Sequence, residues 1–321
     1  MIDIKLLEQL CLCNGISGDE GNVRNLIINE IKDCADDIKT DNLGNLIVFK
    51  KGKKSAKSKL MVSAHMDEVG LMVTDITSDG YLKFDEVGGI DRRVLPGKRV
   101  CVGRNGLNGV IGVKPIHLTN GDEKTAVPKM NDMYIDIGAE SREDALKYVN
   151  YGDGINFEGD FKINGKTVVT KALDDRFGCY VLINLIKSEP EYDMYFTFVV
   201  QEEVGLRGAR PAAFTVNPDF ALVIESTTAA DVAEVDASHQ VCNLSKGATV
   251  TVMDRATVYD KEMISAAFEL AEKNNIAVQY KRAVAGGNDS GAIHQSRGGV
   301  RTLAVSLPSR YIHAPSTADK P

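Results

Sequence analysis

The chain has 321 residues, 43% of them hydrophobic and 26% charged, with a formal net charge of -7. That length gives room for one large or two modest domains around a substantial core, and the composition is that of an ordinary soluble globular protein. The acidic balance argues against nucleic acid as a partner, and no stretch approaches the roughly 20 apolar residues that would cross a membrane.

The opening MIDIKLLEQL lacks the basic-then-apolar layout of a signal peptide. Six cysteines are scattered with no CxxC pair, which reads as free thiols in a reducing cytoplasm. Apolar residues at helical spacing (Ile2, Leu6, Leu7, Leu10) predict a helix over residues 2–13, with Gly15 and Gly18 after it. A second helix follows, capped by Ser17 or Asp19, with Val23, Leu26, Ile27 and Ile31 on its apolar face. Two strand-like runs, Asn45–Lys50 and Lys59–Ala64, flank a lysine-rich stretch. With no interleaved aromatic residues, that stretch reads as the solvated turn of a hairpin and not as a basic binding patch.

The second run leads into His65-Met66-Asp67-Glu68, and there the character changes. From Val69 to about Gly165 the chain consists of short β-like segments rich in glycine: LMVTDI, YLKFDEV, RVCVG, GVIGV, YIDIG and INFEG. Helical periodicity is confined to Ser141–Val149. This predicts an all-β module, residues 69–165, inserted into an α/β domain formed by residues 1–68 and 166–321. The α/β pattern resumes at Lys171 with a helix opened by Asp174-Asp175 and a strand from Met194 to Val200 that ends on Glu202-Glu203. It continues through strand Phe220–Ile224, helix Lys261–Asn274, strand Ala277–Lys281, the turn AGGNDSG and strand Arg301–Ser306.

Ionisable residues gather where predicted strands end or helices begin: His65, Asp67, Asp174, Glu202, Glu203, Glu225 and His313. In a parallel-type sheet those ends converge on one edge. Taken singly, each has a plainer reading: a structural histidine, a solvated strand end, a helix cap. Taken together, two histidines and several carboxylates make a ligand set for zinc, cobalt or manganese. Without cysteine in it, the set suits a catalytic site better than a structural one. His65-x-Asp67 would let a carboxylate orient a ligating imidazole, and one glutamate of the pair could bind metal while the other serves as general base. His117 and His239 read as structural, and His294 is notable only for following the Gly-rich turn.

The segments SAHMDEVG (63–70), KALDDRFG (171–178), QEEVGLRGA (201–209), IES (224–226), GGNDSGAIHQ (286–295) and SRYIHAPS (309–316) carry a resemblance. In order and spacing the chain resembles, over nearly its whole length, the co-catalytic metallo-aminopeptidase family of glutamyl, leucyl and deblocking aminopeptidases, which forms tetrahedral dodecamers. The resemblance implies a zinc-exopeptidase α/β domain, phosphorylase/hydrolase-like, with a mixed sheet and helices on both faces. An inserted PDZ-like β-barrel would mediate dimerisation. It implies two divalent ions, zinc or cobalt with manganese as a further option, sharing a hydroxide that removes the N-terminal residue of short peptides. One ion would hold the free α-amine. By position, Asp174 would bridge the ions, His65 and Glu225 would complete one site, and Glu203 and His313 the other. Glu202 would be general base and acid, and Asp67 would orient His65.

Position 225 is glutamate where such relatives most often have aspartate, and they usually continue beyond the position of Pro321 with a further helical segment. Arg282, Lys281 and Arg207 are candidates to line a pocket for acidic N-terminal residues. A glycosidase of the endoglucanase type would want aromatic platforms, and the chain has no tryptophan. A serine hydrolase would want a GxSxG elbow, which is absent. A catalytically impaired metal-binding assembly protein would have no use for a base beside a ligand.

Overall fold

The structure, a computed structural model, describes residues 3–320. Ile2 of the predicted first helix and Pro321 lie outside that range. The chain begins with helices α1 (Ile4–Leu12) and α2 (Gly21–Ile31) and strands β1 (Asp37–Thr40), β2 (Leu46–Lys50) and β3 (Leu60–His65). Next come β4 (Gly70–Ile76), β5 (Leu82–Val87), β6 (Arg99–Val102), β7 (Leu107–Gly112), β8 (Tyr134–Asp136), the short α3 (Arg142–Ala145) and β9 (Gly154–Phe157). The remainder is β10 (Lys162–Asn164), β11 (Thr167–Thr170), α4 (Leu173–Lys187), β12 (Met194–Val199), α5 (Ala209–Val216), β13 (Phe220–Thr228) and β14 (Ala248–Val250). It closes with α6 (Lys261–Lys273), β15 (Val278–Tyr280), α7 (Ser290–Ile293), β16 (Arg301–Arg310) and β17 (Thr317–Asp319).

Eleven strands make a mixed sheet in the order β1-β2-β12-β3-β13-β16-β17-β11-β10, with β14 and β15 attached beside β16. The four strands at its centre, β12, β3, β13 and β16, are mutually parallel, so their C-terminal ends share one edge. Strand periodicity sorts the side chains onto two faces. Leu46 and Val48 of β2 and Val62 and Ala64 of β3 join α1, α2 and α4 in one core, with Phe196 and Phe198 of β12. Ile47 and Met61, one residue out of phase, join residues of α5, α6 and α7 in a second core on the other face. The predicted mixed sheet with helices on both faces is what forms.

Asp3 starts α1 by accepting the N–H groups of Lys5 and Leu6, and Leu6, Leu7, Leu10 and Cys11 turn inward at helical spacing. The six β-like segments from LMVTDI to INFEG become β4 to β9, which close a barrel in the order β4-β5-β8-β7-β6-β9. Every neighbouring pair in it is antiparallel, and its interior is a separate apolar cluster including Leu71, Phe84, Val100 and Ile155.

Three local expectations change. The runs before and after the lysine-rich stretch are not a hairpin: β12 lies between β2 and β3, antiparallel to the first and parallel to the second. The tight two-residue turn that fixes a hairpin register is missing, since residues 51–59 separate the strands and leave room for a third. The fully buried Phe196 and Phe198 of β12 belong in that central place. The connection itself is largely solvent-facing and is tied to the next turn by Lys54 and Glu191 at 2.7 Å. Helix α3 covers one turn only, and β13 runs on to Thr228, which puts Glu225 inside the strand and not beyond its end.

Candidate active site

At the shared edge, β3 ends on His65, the loop after β12 brings Glu202 and Glu203, β13 contributes Glu225, and the turn after β16 brings His313. Strand β11 delivers Asp174 from the far side of β17. The backbone there leaves ordinary helix geometry. Asp174 (φ -82°, ψ 109°) and Asp175 (φ -118°, ψ 43°) are non-helical, are joined by a cis peptide, and follow Ala172 at φ 55°. Asp174 therefore does not cap or charge a helical first turn, which is the plainer role its sequence position suggested. Gln201 and His313 also have left-handed φ values, 57° and 58°, an uncommon state for residues with a Cβ. Such positions cluster where the surrounding structure holds a functional geometry.

The side chains converge in three overlapping groups, two of which share Asp174. His65 Nε2 lies 3.4 Å from Asp174 Oδ1 and 3.3 Å from Glu225 Oε1. His313 Nε2 lies 3.5 Å from Asp174 Oδ2 and 3.3 Å from Glu203 Oε2. Asp174 thus turns one oxygen to each of the two groups that share it. The ligand-type atoms of His65, Asp174 and Glu225 lie within 4.8 Å of one another, as do those of Asp174, Glu203 and His313, and those of His65, Glu202 and Glu203.

The donor set fits divalent ions on the chemistry of its atoms. His65 Nδ1 is 3.0 Å from the carbonyl oxygen of Asp67, which can only accept, so Nδ1 carries a proton and Nε2 is the atom turned inward. Nε2 faces two carboxylates, which only accept, so either a second proton on the ring or a cation must lie between them. No hydrogen bond of proper geometry reaches the buried Asp174 Oδ1 or Glu225 Oε2. Carboxylates clustered in a buried site call for a positive charge among them.

The proton affinities agree. Burial alone would lower His65, but the carboxylates of Glu225, Asp174 and Asp67 outweigh it and hold the imidazole well above its usual value. Burial would raise Asp174, yet His313 and His65 pull it down. Burial and the charge of Asp174 push Glu203 to about 8, while burial, only partly offset by His65, takes Glu225 to about 7. Glu202 is lifted well above the carboxylate range by burial, with Glu225, Asp289 and Glu203 adding to the rise against His65.

Asp67 is fully buried and does more than face His65. Its carboxylate accepts Ser17 Oγ at 2.6 Å and the backbone N–H groups of Glu202 and Glu203 at 3.0 and 3.1 Å, which pins the Glu202-Glu203 turn to β3. The contact that orients His65 most closely is the Asp67 carbonyl, since the carboxylate oxygen is 3.5 Å from Nδ1.

The predicted pocket residues are not drawn into this centre. Arg282 is exposed and donates to Asn243 Oδ1 at 3.2 Å. Arg207 is exposed and, with Arg210, lines a separate cavity of about 460 Å³ against α7. Half-buried Lys281 donates to the Ala285 carbonyl at 2.9 Å. His294 turns Nδ1 to the Ser290 carbonyl at 2.7 Å within the α7 segment.

Asp175 and Asp289 are among the buried acids that went unassigned by sequence. Asp175 accepts the N–H groups of His65 at 3.3 Å and Gly178 at 3.0 Å, and Asp289 is fully buried with neither oxygen hydrogen-bonded. Asp175 was visible as half of an acidic pair, and Asp289 as the acid of the Gly-rich turn. Nothing local marked either as internal.

A sheet edge that gathers two imidazoles and four carboxylates offers candidate metal-binding clusters of the kind a metal-dependent hydrolase requires. Residues 44–320 match the model of the M42 glutamyl aminopeptidase family, and the chain belongs to that family of metallopeptidases, which remove N-terminal residues. The lysyl aminopeptidase of Pyrococcus furiosus is 33% identical over 98% of this chain and 91% of its own length. The solved TET aminopeptidase of a marine sediment thaumarchaeal archaeon superposes with a TM-score of 0.94 at 33% identity, covering 98% of this chain and 90% of that one. The TET1 peptidase of Pyrococcus horikoshii, which can assemble into a tetrahedron or a large octahedral shell, gives a TM-score of 0.87 at 40% identity, covering 98% and 94%.

Proposed function

We propose that the cluster is a two-ion aminopeptidase centre in which Asp174 is the shared ligand, His65 and Glu225 hold the inner ion, and Glu203 and His313 hold the outer one. The observation that carries this reading is the Asp174 carboxylate, with one oxygen toward His65 and the other toward His313. Zinc or cobalt, with manganese as a third option, suits a mixed imidazole and carboxylate set. Bound divalent ions supply Lewis acidity and lower the pKa of water.

The remaining chemistry belongs to the chain. Glu202, next to the ligand Glu203 but outside the two ion-holding groups, takes a proton from the attacking water on its carboxylate and returns it to the leaving amine. Its raised proton affinity suits that exchange, and the two Asp67 hydrogen bonds fix the turn from which it acts. Asp67 also holds His65 in the tautomer that presents Nε2. The substrates are short peptides with a free N-terminus. Residues 1–68 and 166–321 are the catalytic unit and residues 69–165 the inserted barrel, through which the chain self-associates to dimers and then to the dodecamers named for solved relatives. Six free cysteines support a cytoplasmic setting.

The test strips the protein with chelator and restores zinc, cobalt or manganese. It then compares aminoacyl-p-nitroanilides with N-acetylated and carboxymethylcellulose substrates. Release from free-amine substrates alone, and only with metal, is expected. Metal-dependent cleavage of the glycan would overturn the reading.

A further inference from the structure

Beside the centre lies a buried ionic group that the chemistry above does not use; Glu68 and Lys171 share a small cavity with Asp174, Glu203 and His313. Glu68, Lys171 and Arg176 have side chains 4%, 3% and 0% exposed. Lys171 Nζ donates to both Glu68 carboxylate oxygens, at 2.9 and 3.1 Å, and to Asn14 Oδ1 at 2.9 Å. Arg176 uses its whole guanidinium. Nε donates to the Met66 carbonyl at 2.8 Å, Nη1 to the carbonyls of Leu10 and Cys13 at 2.7 Å each, and Nη2 to the Gly15 carbonyl at 3.2 Å and Glu68 Oε1 at 3.3 Å.

The placement of these bonds along the chain is informative. Lys171 and Arg176 bracket the segment that carries Asp174, and Glu68 immediately follows the segment that carries His65 and Asp67. The Met66 carbonyl held by Arg176 lies between those two residues. The bracketed segment has little helical ladder of its own, because Ala172, Asp174 and Asp175 are all non-helical, although the Arg176 N–H reaches the Ala172 carbonyl at 3.2 Å. It is held besides by this group, by the Asp175 bonds to His65 N and Gly178 N, and by Ser226 Oγ on the Leu173 carbonyl at 3.3 Å. The barrel is tied in as well, through Asn156 Oδ1 of β9, which accepts the Gly15 N–H at 3.1 Å.

A buried ion pair is weak as a source of stability, since well-packed apolar residues of similar volume commonly do as well. Its geometric effect is specific: a fork of directed bonds can hold two backbones in one relative position. We propose that Glu68, Lys171 and Arg176 are positioning residues that set the His65–Asp174 separation, and with it the affinity and coordination geometry of the inner ion. This rests on the two-ion reading above. None of the three belongs to the ligand-type groups of the centre, and they act through Asp174 and His65.

The test separates positioning from bulk support by using Co(II) as probe, reading its affinity by titration and its coordination from the d–d absorption bands. Lys171→Met should lower the thermal midpoint and weaken Co(II) binding about 10–100-fold, the usual cost of disturbing contacts that orient ligands. Lys171→Met leaves Glu68 still paired with Arg176, whereas Glu68→Gln/Lys171→Met leaves the buried Arg176 without a carboxylate, so the thermal midpoint of the double variant should fall further. Its Co(II) affinity should stay low and its bands shifted. A folded double variant with wild-type affinity and spectrum would overturn the proposal. If neither variant folds, Arg176→Lys keeps the charge but loses the fork to Met66, and an unshifted spectrum in it would overturn the proposal equally. A wild-type protein that binds no Co(II) would instead sink the metal-centre reading, a result distinct from a wild type and double variant that bind alike.

Discussion

The two halves of the centre share Asp174 but differ in their exposure to solvent. In the inner half the side chains of His65, Asp174 and Glu225 are 1%, 10% and 7% exposed. In the outer half Glu203 is 4% exposed, but His313, on a turn past the end of β16, is 41% exposed. The inner half is built from strands locked in register, Glu225 lying opposite Ser306 within the β13–β16 ladder. The outer half depends on two loops. On the two-ion proposal, the more exposed outer half would be the one to meet peptide and exchange ions, and the inner half the one held by the sheet.

The largest effect should come from the residue that belongs to neither ion-holding group. Glu202→Gln removes proton transfer while leaving a similar shape, so kcat should drop by about 10²–10⁴ with the bound-metal count unchanged. A drop accompanied by metal loss would make Glu202 a ligand and blur the two halves into one.

Next come the histidines. His65→Ala should cost ion binding in both halves, because it also releases the Asp174 carboxylate that both use. His313→Ala should leave the inner ion in place and weaken only the outer one. Metal content after dialysis reads both, and equal losses from the two variants would break the comparison.

The metal-stripped protein should also respond to pH in a defined direction. Burial and neighbouring carboxylates raise Glu203 from 4.5 to about 8, and burial raises Glu225 from 4.5 to about 7. Between those values the folded chain holds protons that the unfolded chain has given up, so stability falls as pH rises. For His313, burial would lower the value, but Asp174 and Glu203 raise it from 6.5 to about 9, so its contribution is present below 6.5 and is lost as pH climbs through 9. Both effects have the same sign. The thermal midpoint without metal should decline from pH 5 to pH 9, and added zinc should flatten the decline, as differential scanning fluorimetry would show. A midpoint that rises over that range would contradict the assignment of these groups.

The smallest effect belongs to Glu225→Asp. Shortening the reach by one methylene inside a rigid strand should change inner-ion affinity within about tenfold and shift the preference among zinc, cobalt and manganese more than the rate. Competition titrations would show it.

Much of this was legible because its causes are local. Each barrel strand announces itself as a short β-rich run broken by glycine, and the residues of the centre lie at or near strand ends, where topology brings them together. What sequence concealed was non-local. Nothing within residues 45–64 reveals that β12, some 130 residues later, will separate β2 from β3. The orientation of His65 by a carbonyl and not by the Asp67 carboxylate depends on the path of the backbone, which the H-x-D spacing leaves open. Lys171 and Arg176 stood in plain view within KALDDRFG, but a cation beside two acids reads as a surface pair until its burial is known. Asp289 stayed hidden for the converse reason, an acid in a Gly-rich turn that the fold then seals from water.

The two-ion claim is tested most directly by counting. Titrating chelator-stripped protein with zinc, with bound ions measured per chain, should give two equivalents for the wild type and fewer for Asp174→Asn, which shares only a neutral amide between the halves. A single equivalent in the wild type, or two in Asp174→Asn at unchanged affinity, would contradict the shared-carboxylate centre.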